Sequence, residues 1–447
     1  MSATAAPAAS AEMPRPIAGL DQLPLARIHL VIAAVGALGL FLDIAELALS
    51  NALSAIFSAP GQTLQPYQLP LLLASVFIGG TLGAPLLGRF ADLYGRRAAL
   101  AAALSILAVT SAMAAASGSI GALTLARMLS GLAIGAWPPL FAAYMVEVLP
   151  ARGRGRLIFT SAAVGLLGAP AVVFLIRALG PVQPLELEAW RWALILGAGS
   201  SALTAGLFLL LPESPRWLLA RGRSTQASQA LRRLGGQGSL TPTAEVRPER
   251  SRWRNWSGEQ KRRALLIAAI YFLSPWATVG FPLLNGAVLM KKGFSLSDSL
   301  LYSGITQFGP ALGTFLASFV VDRCERRLTL AILAGVMALL GLVFAAGEAP
   351  ATLVASGIAF SLTGVVFVCV LGLYVAELFP VGPRAMATTG TWAVSRVASA
   401  LTPLALVPLL HAWGSLAMFA VIATALLACL LLLLAFGPRG LAGRPIE

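Results

Sequence analysis

The sequence predicts an all-α membrane protein: twelve transmembrane helices in two six-helix, pseudo-symmetric bundles, with both termini cytoplasmic. Three observations predict it. Of 447 residues, 58% are hydrophobic and only 11% charged, against about 25% charged in a soluble domain. Such a chain has too little polar surface to cover itself in water. Apolar runs of about 20 residues, enough to cross a bilayer, recur along most of its length. Two unrelated polar patterns also repeat at one offset, 230 residues. Asp-x-x-x-Arg-Arg occurs at Asp92 and Asp322, and Tyr-x-x-Glu-x-x-Pro-x-x-x-Arg at Tyr144 and Tyr374. Two patterns sharing one offset mark a duplicated unit.

Residues 1–27 are rich in Ala, Pro and Ser and are expected to form a mobile cytoplasmic tail. They lack the charged start and apolar core of a cleaved signal peptide. Twelve candidate spans follow, at roughly 28–56, 68–88, 97–116, 120–149, 156–178, 191–211, 263–290, 298–321, 328–346, 350–379, 386–410 and 413–436. A polar, Arg-rich linker over 212–262 divides bundle 28–211 from bundle 263–436, and 437–447 form a second cytoplasmic tail. With the N-terminus inside, the inner segments hold 26 of the 32 Lys and Arg. The outer links hold four (Arg177, Arg191, Lys291, Lys292), and Arg127 and Arg396 fall inside spans. That asymmetry sets the orientation, and it makes the halves parallel repeats about an axis along the membrane normal.

Other classes are disfavoured. The net charge of +14 is dispersed over short loops rather than gathered on one face, so no nucleic-acid partner is expected. Cys324, Cys369 and Cys429 are scattered, and His29 and His411 lie far apart, so neither a disulfide framework nor a metal site is indicated. No ATP-binding Gly-Lys-Ser/Thr loop and no nucleophile–base constellation is visible, and neither a cofactor nor an enzymatic activity is expected. The basic, aromatic stretch Arg247–Arg263 with Trp253 and Trp256 is either a plain inside-positive linker or a segment lying on anionic lipid headgroups.

Four charged residues need separate explanation. Asp43 and Glu46 in the first span stand three apart and so share a helix face. A carboxylate deep in a bilayer costs about 2.5–3.5 kcal/mol on insertion scales, so two of them are expected to work. Arg127 in the fourth span is their natural partner. Arg396 in the eleventh has no acid nearby in sequence, which points to an anionic substrate or to a carboxylate from another helix. Gln307, Asn285, Trp276 and Trp392 are candidate cavity residues.

The chain resembles the major facilitator superfamily over residues 28–436. Gly88-Arg89-x-x-Asp92-x-x-Gly95-Arg96-Arg97 is similar to its signature loop between helices 2 and 3, and Cys324-Glu325 disrupts the glycine spacing of the second copy. Tyr144–Arg154, Pro212-Glu213-Ser214-Pro215-Arg216-Trp217-Leu218 and Arg127-x-x-x-Gly131-x-x-x-Gly135 resemble the sugar-porter branch and its organic-ion and aromatic-acid relatives. The resemblance implies a secondary transporter working by alternating access on a small molecule. In proton-linked sugar porters an acid on helix 1 faces an arginine at the start of the helix-4 motif. Asp43 and Arg127 match those positions, which implies proton coupling, with Glu46 as a second candidate. Ser395-Arg396 before Pro403 resembles the organic-acid relatives. The seventh span lacks the paired glutamines of sugar porters, which disfavours a hexose. Gly165-x-x-Gly168-Ala169-Pro170 partly resembles a drug-antiporter motif, so efflux stays an alternative, as does a non-transporting sensor.

The two repeated patterns are expected to form a cytoplasmic gate. It comprises Gly88, Arg89, Asp92, Gly95, Arg96, Arg97, Glu147 and Arg154 in the first half. Asp322, Arg323, Arg326, Arg327, Glu377 and Arg384 are their counterparts in the second. Glu147 is expected to accept from Arg89 or Arg97, and Glu377 from Arg323 or Arg327. Such pairs would hold the outward-open state and break in the inward-open one.

Overall fold

The computed structural model describes residues 23–62, 64–236, 256–320, 325–379 and 381–438, and these contain helices and no strand. The first half comprises α1 (Arg27–Phe57), α2 (Gln68–Tyr94), α3 (Arg96–Ala115), α4 (Ile120–Val148), α5 (Arg154–Leu166), α6 (Gly168–Leu179) and α7 (Ala189–Leu210). Two short helices follow in the linker, α8 (Pro215–Ala220) and α9 (Ser224–Arg233). The second half comprises α10 (Gly258–Leu273), α11 (Pro275–Thr278), α12 (Gly280–Lys291), α13 (Leu296–Thr306), α14 (Gly309–Val320), α15 (Arg326–Ala346), α16 (Pro350–Leu378) and α17 (Val381–Phe436).

Among the described residues, ten helical stretches are long and apolar enough to cross a membrane. The difference from the expected spans lies in breaks and mergers. The eighth expected span, 298–321, is split into α13 and α14 around Gln307. The eleventh and twelfth run together in α17, which turns at Gly414 (φ 82°). The seventh is interrupted at Ser274-Pro275 and again at Val279-Gly280, where a proline withholds an N–H from the helical ladder.

The duplication extends to the packing. A Cβ at Gly79 or Gly83 of α2 would lie 1.9 or 2.0 Å from the carbonyl oxygens of Met128 and Leu132 on α4. A Cβ at Gly309 or Gly313 of α14 would lie 2.6 or 2.7 Å from those of Ile358 and Leu362 on α16. All four pairs are related by 230 residues. Only glycine permits this backbone approach, the small-residue packing favoured where lipid supplies no hydrophobic drive between helices.

The halves meet along α1 on α12, α2 on α17, and α5 and α6 on α14 and α13. Hydrogen bonds between described residues tie them at the end of α1 remote from Arg27. Asn51 donates to the Pro282 carbonyl, and Ser54 Oγ to that of Leu283 at 2.9 Å. Nearby, Arg177 Nε donates to Ser297 O at 3.1 Å.

Candidate functional site

Asp43, Glu46 and Ser50 recur on α1 at helical spacing, and α4 brings Arg127 against them. All four are buried, Arg127 to 1% exposure. Of the two acids expected to partner Arg127, the family resemblance points to Asp43, and here the structure corrects it. Arg127 Nη1 is bonded to Glu46 Oε1. Its Nη2 donates to the Glu46 carbonyl at 2.9 Å and to Ser50 Oγ at 2.8 Å. Ser111 of α3 donates to the other Glu46 oxygen at 3.1 Å. Glu46 and Arg127 thus form a closed pair held from three helices. The reason is helix phase: Glu46 stands three residues beyond Asp43 toward the Phe57 end, and Arg127 meets α1 at that level.

Asp43 is only 3% exposed, yet it makes no hydrogen bond or ion pair with another described residue. Its electrostatic partner is Arg396 on α17, in the other half, though no contact within 4 Å joins them. The Arg396 guanidinium lies 4.9 Å from the centre of the Trp392 ring, a cation–π geometry. Asp43 is thus a carboxylate from another helix whose charge Arg396 senses. The two charges belong to different halves and lack the direct contacts that fix Glu46 and Arg127.

A small cavity of about 160 Å³ lies at the same seam, lined by Leu47, Asn51, Phe77, Thr278, Leu283 and Gln307 among others. Its walls are mainly apolar. Asp43, Leu47 and Asn51 follow one another at intervals of four along α1, so Asp43 continues the stripe that lines the cavity by one turn. Gln307, 4% exposed, lies on its wall at the break between α13 and α14. Asn285 lies elsewhere, inside the second half, where its Nδ2 donates to Thr306 Oγ1 at 2.7 Å. Trp276 is half-buried against the core of the second half and does not line this cavity. Ser50, Ser111, Asn51 and Ser54 escaped the sequence reading. The polar periodicity Asp43, Glu46, Ser50, Ser54 along a mainly apolar helix is the signal for Ser50 and Ser54, and the four-residue step from Asp43 through Leu47 for Asn51, whereas nothing local marks Ser111.

The repeated charged loops form paired clamps, in which the donors to Glu147 and Glu377 differ from those expected. Arg96, not Arg89 or Arg97, reaches Glu147, at 3.3 Å, and also Asp92 at 2.6 Å. Arg326 makes the equivalent bond to Glu377 at 3.0 Å, again 230 residues on. Both bonds stay within one half, joining α3 to α4 and α15 to α16. Arg97 turns instead to the carbonyls of Leu209 and Leu211 at the end of α7, and Arg327 to that of Leu434. Successive helical residues point about 100° apart, so a one-residue change of partner is a change of face. Arg89 is exposed and Gly88 half-buried. Arg154 donates to the Leu149 carbonyl at 2.8 Å. Asp322 and Arg323 lie outside the described residues, as does the Arg384 side chain, and so do most of 247–263, including Trp253.

Gly95 shows why the loop has its sequence. Its φ of 108° suits glycine alone, and a Cβ there would lie 2.2 Å from the Glu213 carboxylate. That carboxylate accepts from Arg97 N at 3.1 Å and Ser214 N at 2.9 Å, capping the start of α3. Trp217 Nε1 and Arg221 both donate to the Asp92 carbonyl. The two sequence motifs thus meet as one clasp. Gly168, of the antiporter-like motif, is in helix contact: a Cβ there would lie 2.1 Å from Phe41 O.

Buried charges at a seam between two packed helical halves define a membrane carrier for small solutes. The chain belongs to the sugar (and other) transporter family, whose family model matches residues 30–446. It is 28% identical over 433 residues to the candidate metabolite transport protein YyaJ of Bacillus subtilis (strain 168), with 94% of each chain covered. It is 25% identical over 398 residues to the niacin transporter NiaP of Acinetobacter baylyi, covering 87% of this chain and 89% of that protein. Its fold matches the xylose transporter XylE of E. coli in a partially occluded inward-open conformation, with a TM-score of 0.74 at 20% identity, over 94% of this chain and 100% of that one. The protein is a multi-pass integral protein of the plasma membrane and a sugar/metabolite transporter of the major facilitator superfamily.

Proposed function

We propose that the protein is a proton-coupled symporter of a small organic anion, built of twelve spans with both termini cytoplasmic, and not an enzyme. The observation that carries this reading is the open pair of the buried Asp43 and the half-buried Arg396, which belong to different halves. Glu46 is already held by Arg127 and Ser111, so Asp43 is the proton carrier. Charge bookkeeping sets the stoichiometry. With Asp43 ionised, the pair is neutral. A proton on Asp43 leaves Arg396 as an uncompensated cation, which an entering carboxylate neutralises. Proton and monoanion therefore enter together, and the loaded and empty carriers carry the same charge. Either ligand alone leaves a bare charge in a low-dielectric seam and is disfavoured.

The walls support the substrate class. A sugar needs partners for several hydroxyls, and each buried unsatisfied polar group costs about 1–3 kcal/mol. Apolar walls with Gln307 and Asn51 suit a compact apolar body instead. The niacin transporter among the relatives handles a compound of this class, a carboxylic acid on a small ring. With the N-terminus inside, the Asn51–Pro282 and Ser54–Leu283 bonds close the outer side, and the loop clamps keep each half rigid as it rocks on the cytoplasmic side.

Uptake into proteoliposomes tests the reading, with small aromatic and aliphatic monocarboxylates as substrates. Accumulation is expected under an inward proton gradient and should be indifferent to an imposed membrane potential. Accumulation driven by potential alone refutes electroneutral coupling. Extrusion against the same gradient identifies an exporter, and tight binding without flux a sensor.

A further inference from the structure

Away from the seam, in the first half, a second cavity of about 220 Å³ lies between the α2–α3 turn and helices α8 and α9. Its lining includes Arg97, Arg223, Arg233, Gln226, Gln229 and a single carboxylate, Glu213. Three guanidinium groups against one carboxylate leave a surplus of positive charge. Glu213 is already engaged by the backbone N–H groups of Arg97 and Ser214. Arg97 and Arg233 are anchored on the last carbonyls of α7, those of Leu209, Leu210 and Leu211. The Arg97 Nε is buried and has no hydrogen-bond partner among the described residues. The Arg223 side chain makes no hydrogen bond to a described residue either, and its guanidinium stands 5.6 Å from the centre of the Trp217 ring. On α9, Gln226, Gln229 and Arg233 recur at intervals of three and four, which places them on one face, toward the cavity.

The pocket is therefore rich in N–H donors and poor in free acceptors. Arginine is the residue whose planar fork matches the oxygens of a phosphate, and the amides of Gln226 and Gln229 add neutral donors. The apolar helix α7 ends at this pocket, so the site stands at a span boundary. We infer that it binds a phosphate-bearing anion whose oxygens bridge Arg223 and Gln226 of the linker helices to Arg97 at the α2–α3 turn. A lipid headgroup and a soluble phosphate share that chemistry. Binding adds an anionic tie to the clasp that Trp217 and Arg221 already make with the Asp92 carbonyl.

Thermal unfolding of the full-length protein in neutral detergent tests the proposal. The additions are phosphatidylglycerol in mixed micelles, with phosphatidylcholine as control, and inorganic phosphate, with chloride at equal ionic strength as control. A ligand at on the order of 100 times its Kd should raise the midpoint by about 3 °C. A shift with phosphatidylglycerol alone identifies a lipid headgroup, and a shift with inorganic phosphate a soluble ligand. Arg223→Gln should abolish the shift, and Arg223→Lys should restore part of it. The Arg223 side chain bears no hydrogen bond to a described residue, so this variant should fold with unchanged stability in the absence of ligand, whereas Arg233→Gln would also remove a cap of α7. No shift in either arm, or a shift unchanged in Arg223→Gln, overturns the proposal.

Discussion

Two acid–base pairs lie in the apolar body of this protein, and they are built differently. Glu46 and Arg127 belong to the same half. They touch directly, and Ser50, Ser111 and a backbone carbonyl complete their coordination. Asp43 and Arg396 belong to opposite halves. They sense each other electrostatically, and neither is fixed by a hydrogen bond to a described residue. A pair inside one rigid body keeps its geometry as the halves move, whereas a pair across the seam changes with every cycle. The first arrangement suits structure and the second suits switching, although the acids stand only three residues apart on one helix.

The largest expected effect breaks the closed pair. Arg127→Met leaves Glu46 buried and uncompensated, which costs about 3–5 kcal/mol. Asp43→Asn should change stability by less than about 1 kcal/mol, since it removes no direct bond. Thermal unfolding of the two purified variants compares them, and equal losses would erase the distinction drawn here.

Function should rank the other way. Asp43→Asn is expected to abolish accumulation driven by a proton gradient while sparing substrate exchange. Arg396→Gln should weaken substrate binding about 10- to 150-fold, the equivalent of one charge-assisted hydrogen bond at about 1.5–3 kcal/mol. Counterflow and equilibrium binding read these separately. An Arg396→Gln protein of unchanged affinity would move the anion site elsewhere.

The smallest effect belongs to the loops. Arg96→Gln removes a clamp between part-exposed groups, of the kind worth about 0.2–1 kcal/mol. It should leave the unfolding midpoint nearly unmoved and show instead in the transport rate. A large loss of stability would mean that the clamp is part of the core.

Much of this architecture was legible in the sequence. The 230-residue echo of Asp92 in Asp322 and of Tyr144 in Tyr374 announced two copies of one unit. The copies then proved alike down to Gly79 and Gly309, and to the Arg96–Glu147 and Arg326–Glu377 bonds. Glu147 and Glu377 were recognised as acceptors, but their donors were assigned one residue or more away. Asp43, Glu46 and Arg127 are all legible as costly charges, but which acid Arg127 meets is not: the family resemblance points to Asp43, and the structure joins Glu46. Each miss concerns the azimuth or depth of one helix relative to another, and no local pattern encodes either.

The sequence by itself determined what depends on composition and covalent order. That covers the lipid-embedded class, the duplication and the presence of isolated charges too costly to be idle. Only the tertiary structure decided which charge meets which. Pairing between helices depends on packing between backbones brought close by glycine, and a shift of three residues along α1 exchanges a locked carboxylate for a free one.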